Sequence, residues 1–162
     1  MLRIDGLRST VELGMIDVER IDRGDGYWFL DTGVPHYVEF TDDLEAVDVI
    51  GRGRRIRYDK RFAKGTKRQF RQGSRSRAYR RPHLRTRRGG RNLACGTGST
   101  AAALVTHLAA QPSVTAFRID VRGGRLGIAF DEPKPGIYTR IRLSGEARKV
   151  FEGSYDTANF QS

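Results

Sequence analysis

The sequence predicts an α+β fold in which a curved, mostly antiparallel sheet surrounds one central helix. Short stretches that alternate apolar and polar residues, separated by turn residues, run along most of the chain and are typical of strands. One alanine-rich stretch, 97–110, has helical propensity instead and is closed by Pro112. Because its small side chains allow close packing, we expect this helix to form the centre of the core.

The other elements follow from the same patterns. Val11, Leu13 and Met15 alternate with polar or small neighbours and predict a first strand at 10–16. The sequence TDD at 41–43 is a capping sequence and predicts a short helix directly after it. Further strands are predicted at 27–30, 36–40, 114–121, 125–130, 138–143 and 149–151, with a tight turn at 122–124.

Length and composition indicate one globular domain of 162 residues, with 38% apolar and 9% aromatic residues. No stretch is long and apolar enough to span a bilayer, and no signal-peptide pattern follows Met1, so we expect a cytoplasmic protein. A single cysteine and three scattered histidines offer neither a disulfide nor a metal-ligand cluster. We therefore expect no bound metal.

The net charge of +11 is concentrated in one segment. Between Lys67 and Arg91 there are eleven Lys or Arg residues and no Asp or Glu, so nineteen basic and nineteen acidic residues remain elsewhere. This arginine tract, 67–92, contains almost no aliphatic residues, and we expect it to pack poorly. It divides the chain into 1–66, 67–92 and 93–162.

The only cysteine, Cys95, stands directly before the predicted helix in the sequence LACGTGSTAAAL. A thiol there lies near the positive end of the helix dipole and near unpaired backbone N–H groups, which favour the thiolate. The same N–H groups can hold a carboxylate or phosphate, and Gly96 and Gly98 leave them accessible. The sequence thus predicts a base beside an anion-binding site. The alternative is a small buried thiol in an ordinary glycine turn.

Four stretches carry a family resemblance: DTGVPHYVEF (31–40), LACGTGSTAAAL (93–104), RGGRLGIAF (122–130) and LSGEARKVFEG (143–153). In this order and at this spacing they resemble the carboxy-terminal half of diaminopimelate epimerases. Proline racemase-like and phenazine-biosynthesis-like proteins share that fold but not this combination. The resemblance covers nearly all of the chain except the arginine tract, and it implies one diaminopimelate-epimerase-like half-domain.

The resemblance implies an isomerase that uses no pyridoxal cofactor and no metal. In this family two cysteines act on opposite faces of the α-carbon of LL- or meso-diaminopimelate, on the route to lysine and peptidoglycan. One removes the α-proton and the other delivers a proton. Cys95 matches the catalytic cysteine of the carboxy-terminal half, and the backbone of Gly96, Thr97 and Gly98 matches the loop that binds the substrate carboxylate.

Three further positions match the family's site less directly. His36 falls in the family's Pro-His pair near the site, and a packed structural histidine is the alternative. Val34 stands where many members have a substrate-contacting asparagine. Gln69, in TKRQF, stands at the asparagine of the family's TxVNF strand, and LRTRRGG replaces the Tyr-Glu-Arg-Gly stretch before Leu93.

The family's other cysteine belongs to an amino-terminal half with its own Cys-Gly-Asn-Gly loop. This chain begins after that half, so we expect a truncated epimerase that is inactive alone. Its expected partners are the small-molecule substrate and the amino-terminal half of the same enzyme, and a homodimer is left open. Neither nucleic acid nor a membrane is an expected partner of such an enzyme.

A shifted reading frame accounts for both replaced motifs. Codons can be written for 66–72 so that removing one A makes this stretch encode TNVNFV. The same offset applied to 82–92 encodes RTYERGVEAET and leads into Leu93. Because one offset restores both motifs at the family's spacing, we interpret 67–92 as an out-of-frame segment.

The competing hypothesis takes the arginine tract as a real RNA-binding insert in a non-catalytic epimerase-like domain. Its arginines could bind phosphates, while Phe70 and Tyr79 could stack on bases. A solvated charged loop would have the same composition. The nucleotide sequence of this region distinguishes the frame shift from an insert.

Overall fold

The computed structural model describes residues 9–43, 48, 51, 67–73, 83–87, 94–150 and 152–153. Within these residues nine strands form one sheet, and the one helix whose ends are defined, α1, comprises Gly96–Ala110. The strands are β1 Ser9–Gly14, β2 Ile21–Arg23, β3 Trp28–Asp31, β4 Pro35–Phe40, β5 Lys67–Gly73, β6 His83–Arg87, β7 Ala116–Val121, β8 Gly124–Lys134 and β9 Ile137–Ala147.

The sheet has the strand order β1-β9-β8-β7-β6-β5-β4-β3-β2. Its neighbouring strands are antiparallel except for the pairs β4–β5 and β6–β7, which are parallel. This confirms the predicted α+β fold with a mostly antiparallel sheet. The predicted tight turn is also present, because Val121 pairs with Gly124 across two residues and Gly124 has a φ of +136°, which glycine adopts without strain.

Helix α1 is the central element, as predicted. Every residue from Gly98 to His107 is buried, which is typical of a helix enclosed on all sides. The helix packs against β3, β4, β5, β6, β8 and β9, so the sheet curves around it. At 15 residues α1 is too short to span a bilayer, and no helix in the described part of the chain is long and apolar enough to do so.

The core combines α1 with the inward-facing residues of the strands. Phe117 and Ile119 on β7, and Ile128 and Phe130 on β8, are each at most 2% exposed and alternate with more exposed neighbours. Each such side chain contributes about 1.5–3 kcal/mol by leaving water. The period of two that predicted these strands therefore also predicted which of their faces is buried.

A polar cluster is buried at the carboxy-terminal end of α1. The Nδ1 of His107 donates to the Val114 carbonyl oxygen at 2.9 Å, and Nε2 lies 2.8 Å from Oε2 of Glu132. Each ring nitrogen of the buried His107 side chain therefore has a polar partner, one on the backbone and one on Glu132. Burial raises the pKa of Glu132, but hydrogen bonds from the Gly136 N–H and His107, with the charge of His107, outweigh it and hold that pKa below 4.5.

Two strand predictions differ from the structure. The strand predicted at 149–151 is wrong for Lys149 and Val150, which have no strand structure, and residue 151 lies outside the described residues. Strand β9 ends at Ala147 opposite Ser9, the first residue of β1, so the described pairing ends there. Strand β2 was not predicted, because three residues are too few to show an alternating pattern.

The short helix predicted after 41–43 lies outside the described residues, apart from its proposed cap and Asp48, which has no helical structure. The hydroxyl of Thr41 accepts a hydrogen bond from the N–H of Asp43 at 3.3 Å, as a capping residue would.

The arginine tract contains two strands, so the expectation of poor packing is wrong for the backbone of these stretches. Strand β5 runs parallel to β4, β6 runs parallel to β7, and the two pair with each other in the middle of the sheet. The expectation rested on the missing alternation in KRQFRQG and HLRTR. The backbone pairs with β4 and β7 on either side despite that composition, because ladder hydrogen bonds need no particular side chain.

Candidate active site

Cys95 lies at the N-cap position of α1, as predicted. Its backbone is extended, with φ −143° and ψ 102°, and its carbonyl oxygen accepts a hydrogen bond from the N–H of Ser99 at 2.9 Å. The amides of Gly96, Thr97 and Gly98 come before this bond and so belong to the unpaired first turn. The Cys95 side chain makes no capping hydrogen bond and the first turn of α1 has no acidic residue, so the helix itself does not neutralise its positive end.

The thiol of Cys95 is half-buried and contacts a hydroxyl of the same turn. Its Sγ lies 3.5 Å from Oγ1 of Thr97. A thiolate can only accept a hydrogen bond, so the Thr97 hydroxyl is the donor when the sulfur is ionised. The Cys95 sulfur therefore lies at the helix start with one hydroxyl of the same turn beside it.

Gly96 allows the helix start to approach the sheet closely. A Cβ on Gly96 would lie 2.4 Å from Cδ2 of Leu143 on β9, closer than two carbon atoms can approach. A side chain at this position would therefore have to displace the end of the Leu143 side chain, whereas glycine leaves it in place.

We expect Gly96→Ala to lower the free energy of unfolding by about 1–2 kcal/mol, because the new methyl group overpacks against Leu143. In a Leu143→Ala background the new methyl group no longer meets the Leu143 side chain. We then expect Gly96→Ala to be neutral or stabilising, since alanine is the better helix former. A double-mutant cycle measured by urea unfolding checks this. If Gly96→Ala lowers the free energy of unfolding equally in both backgrounds, the contact with Leu143 is not the reason for that loss.

The turn between β3 and β4 packs against the start of α1. Thr32 is 1% exposed, and its hydroxyl donates to the carbonyl oxygen of Thr97 at 2.9 Å. A Cβ on Gly33 would lie 4.0 Å from Cγ2 of Thr97, and Gly33 has a φ of +103°. The Gly33 N–H donates to Oδ1 of Asp31 at 2.8 Å, which closes the turn. Sequence reasoning missed the role of Thr32, because the contact joins residues 65 positions apart.

The remaining predicted residues lie on this turn and on the strands beside it. Val34 is partly buried, and its carbonyl oxygen accepts a hydrogen bond from the N–H of Thr32 at 3.3 Å. His36 is fully buried on β4, opposite Leu30 of β3. Gln69 lies on β5 in register with Val38. The structure therefore joins the turn directly to the Cys95 loop and places His36 and Gln69 on the adjacent strands β4 and β5.

The described part of the chain contains no candidate metal site. No group of three or more His, Cys, Asp or Glu side chains there could hold a metal ion. Cys95 is a free thiol. The described chemistry of this site consists of that thiol, the Thr97 hydroxyl and the backbone amides of the first helical turn.

These features define a class of α+β domain in which a curved sheet encloses one helix and a free cysteine caps that helix. The profile of the diaminopimelate epimerase family matches residues 28–150, which include the Cys95 loop. The chain is 33% identical over 162 aligned residues to the diaminopimelate epimerase of Flavobacterium psychrophilum, with 93% of the chain covered. It is 38% identical over 130 residues to that of Aquifex aeolicus, with 77% covered. The chain belongs to the diaminopimelate epimerase family.

The chain spans only part of the length of these relatives. It covers 62% of the Flavobacterium psychrophilum protein and 44% of the Aquifex aeolicus protein. Among solved structures, a phenazine biosynthesis protein of the PhzF family from Bacillus anthracis is similar, with a TM-score of 0.42 and 14% identity. That similarity covers 79% of this chain and 38% of the other.

Proposed function

We propose that this chain is the carboxy-terminal half of a diaminopimelate epimerase and supplies one of the two thiols that interconvert LL- and meso-diaminopimelate. The observation that carries the proposal is the position of Cys95 at the start of α1, inside the segment that matches the family. The reaction belongs to the synthesis of lysine and peptidoglycan, and we propose the cytoplasm as its location. The comparisons contain nothing that favours an RNA-binding domain.

The geometry around Cys95 suits proton removal from an α-amino acid. In the proposed step the thiolate takes the α-proton, and the electron pair of the broken C–H bond moves towards the neighbouring carboxylate. The amides of Gly96, Thr97 and Gly98 donate hydrogen bonds to that carboxylate as its negative charge increases. The thiolate and these amides lie at the same helix start, so no cofactor is needed to hold the anion.

Inversion also needs an acid on the opposite face of the α-carbon. The chain has one cysteine, so alone it can at most exchange the α-proton on one face and return the same stereoisomer. We therefore propose an amino-terminal half of the same enzyme, with the second cysteine, as its partner. A homodimer of the whole enzyme is compatible with this arrangement.

We also propose that 67–92 is an out-of-frame segment between two parts of one epimerase domain, 1–66 and 93–162. The position of β5 and β6 between β4 and β7 supports this, because strands inside a sheet that surrounds a helix normally carry alternating apolar residues. As written, KRQFRQG has one apolar residue, whereas the shifted reading TNVNFV has three. Nucleotide sequencing from codon 66 to codon 93 should give both family motifs at one offset, and codons that do not would remove this proposal.

Protection of Cys95 from alkylation tests the proposed substrate. The completed enzyme, meaning the frame-restored chain together with the amino-terminal half, is treated with iodoacetamide and Cys95 modification is followed by mass spectrometry. We expect meso-diaminopimelate to slow the modification at least about tenfold when it saturates the site, because its carboxylate occupies the helix start. The matched control is 1,5-diaminopentane, which has both amines but no carboxylate and should not protect. Equal protection by both compounds would contradict a carboxylate site at Cys95.

A further inference from the structure

Thr32 makes a long-range hydrogen bond to the turn that carries Cys95. The residue follows β3 and is 1% exposed, and its hydroxyl donates to the Thr97 carbonyl oxygen at 2.9 Å. Threonine hydroxyls more often bond to backbone groups a few residues away. Thr100 and Thr106 do so, since their hydroxyls donate to the carbonyl oxygens of Gly96 at 3.1 Å and Ala102 at 2.6 Å within α1.

The contact from Thr32 reaches Cys95 through a single residue. Thr97 follows Cys95 by two positions, and its hydroxyl lies 3.5 Å from the Cys95 sulfur. The methyl group of Thr97 faces Gly33, at 4.0 Å from the place of a Cβ there. Thr97 is therefore held from the β3–β4 turn by the hydrogen bond of Thr32, while it presents its own hydroxyl to the thiol.

The start of α1 has no side-chain cap of its own. Cys95 provides no side-chain cap, and the backbone amides before Ser99 have no partner in the helix ladder. Helix ends without caps fray, and a frayed first turn would no longer direct its amides and the Thr97 hydroxyl at one point. The buried Thr32 hydroxyl thus provides from another part of the sheet the restraint that a capping side chain would normally give.

We propose that Thr32 is a positioning residue that holds the first turn of α1, so that Cys95, the Thr97 hydroxyl and the amides of this turn are directed at one point. This inference rests on the proposed function of Cys95. Thr32 does not touch substrate in this role, because it acts through Thr97. The carbonyl oxygen of Thr97 keeps its intrahelical hydrogen bond when the hydroxyl is removed, so Thr32→Val leaves no buried acceptor without a partner.

The test measures Cys95 alkylation by iodoacetamide over a pH series in the full chain, with mass spectrometry as the readout. We expect Thr32→Val to slow alkylation at neutral pH about fivefold and to move the midpoint of the pH profile upward, as the loss of one hydrogen bond implies. Thr32→Ser keeps the hydroxyl and should return the rate to within about twofold of the unsubstituted chain. Thr106→Val is the matched control, because it also removes a buried hydroxyl bonded to a carbonyl oxygen but lies at the other end of α1.

The outcomes distinguish a failure of the positioning role of Thr32 from a failure of the proposed function. If Thr32→Val leaves the pH profile unchanged, if Thr106→Val changes it equally, or if Thr32→Ser does not restore it, the positioning role is overturned. Thermal unfolding of the variants identifies a general loss of stability, which Thr32→Val and Thr106→Val should share. If the unsubstituted chain reacts no faster than the peptide LACGTGS, Cys95 is not activated, and both the proposed function and the role of Thr32 are contradicted.

Discussion

Replacing Cys95 by alanine in the completed enzyme will slow the conversion of LL- to meso-diaminopimelate by about 10²- to 10⁴-fold, the range expected when a positioned acid or base is lost. Alanine removes the group that we propose takes or delivers the α-proton on one face. The amides of Gly96, Thr97 and Gly98 remain, so we expect the substrate to bind with nearly unchanged affinity. The loss should therefore be in kcat and not in KM.

Deuterium incorporation at the α-carbon, followed by NMR in D₂O, checks this expectation. In the Cys95→Ala enzyme the proposed second thiol of the amino-terminal half should still act on its own face, so we expect exchange without inversion to exceed inversion. Thr106→Val controls for a general effect of altering α1 and should keep kcat within about twofold, since the residue lies far from the helix start. Inversion by Cys95→Ala at more than a tenth of the unsubstituted rate would show that another group supplies the proton.

His107→Ala will lower the free energy of unfolding by about 3 kcal/mol. The substitution removes two hydrogen bonds and leaves the Glu132 carboxylate, whose side chain is 22% exposed, without its partner on α1. Glu132→Gln keeps the shape of the side chain and should cost less. The control is the ion pair of Arg125 and Asp120, whose side chains are 58% and 34% exposed, so we expect Asp120→Asn to change stability by less than about 0.5 kcal/mol.

The contribution of Glu132 to the free energy of unfolding decreases at acidic pH. Its pKa is lower in the folded protein than its ordinary value of 4.5, so the unfolded chain binds a proton first as the pH falls. The contribution is complete above pH 4.5 and is lost as the pH falls through the folded value. Urea unfolding between pH 3 and 7 should therefore give a steeper acid-side loss of stability for the unsubstituted chain than for Glu132→Gln. Parallel curves would show that Glu132 is not stabilised by the cluster at His107.

Local sequence patterns predicted most of the fold. Strands β7 and β8 have a clear period of two, and α1 has small residues, high helical propensity and a proline just after it. Strand β2 is too short to show an alternation of apolar and polar residues. The sequences of β5 and β6 do not show this alternation either. For these strands the pairing partner, and not the local sequence, decides the structure.

The candidate site was predicted where its parts are consecutive in the sequence. Cys95, Gly96 and Thr97 form one loop at a helix start, and their spacing implies their placement. The contacts of Thr32 and Leu143 with this loop join distant positions and required the folded chain. The pair of His107 and Glu132 is 25 positions apart, and neither residue lies in a motif.

Stereochemical assay of diaminopimelate by chiral chromatography tests the central claim most directly. The amino-terminal half is supplied to two proteins, the chain as written and the same chain with the reading frame restored across 67–92. We expect conversion of LL- to meso-diaminopimelate only with the restored chain, because only this chain regains the two motifs that the family resemblance assigns to holding the substrate. Conversion by the chain as written would contradict the frame-shift account. No conversion by the restored chain, in which Cys95 and its helix are unchanged, would contradict the proposed function itself.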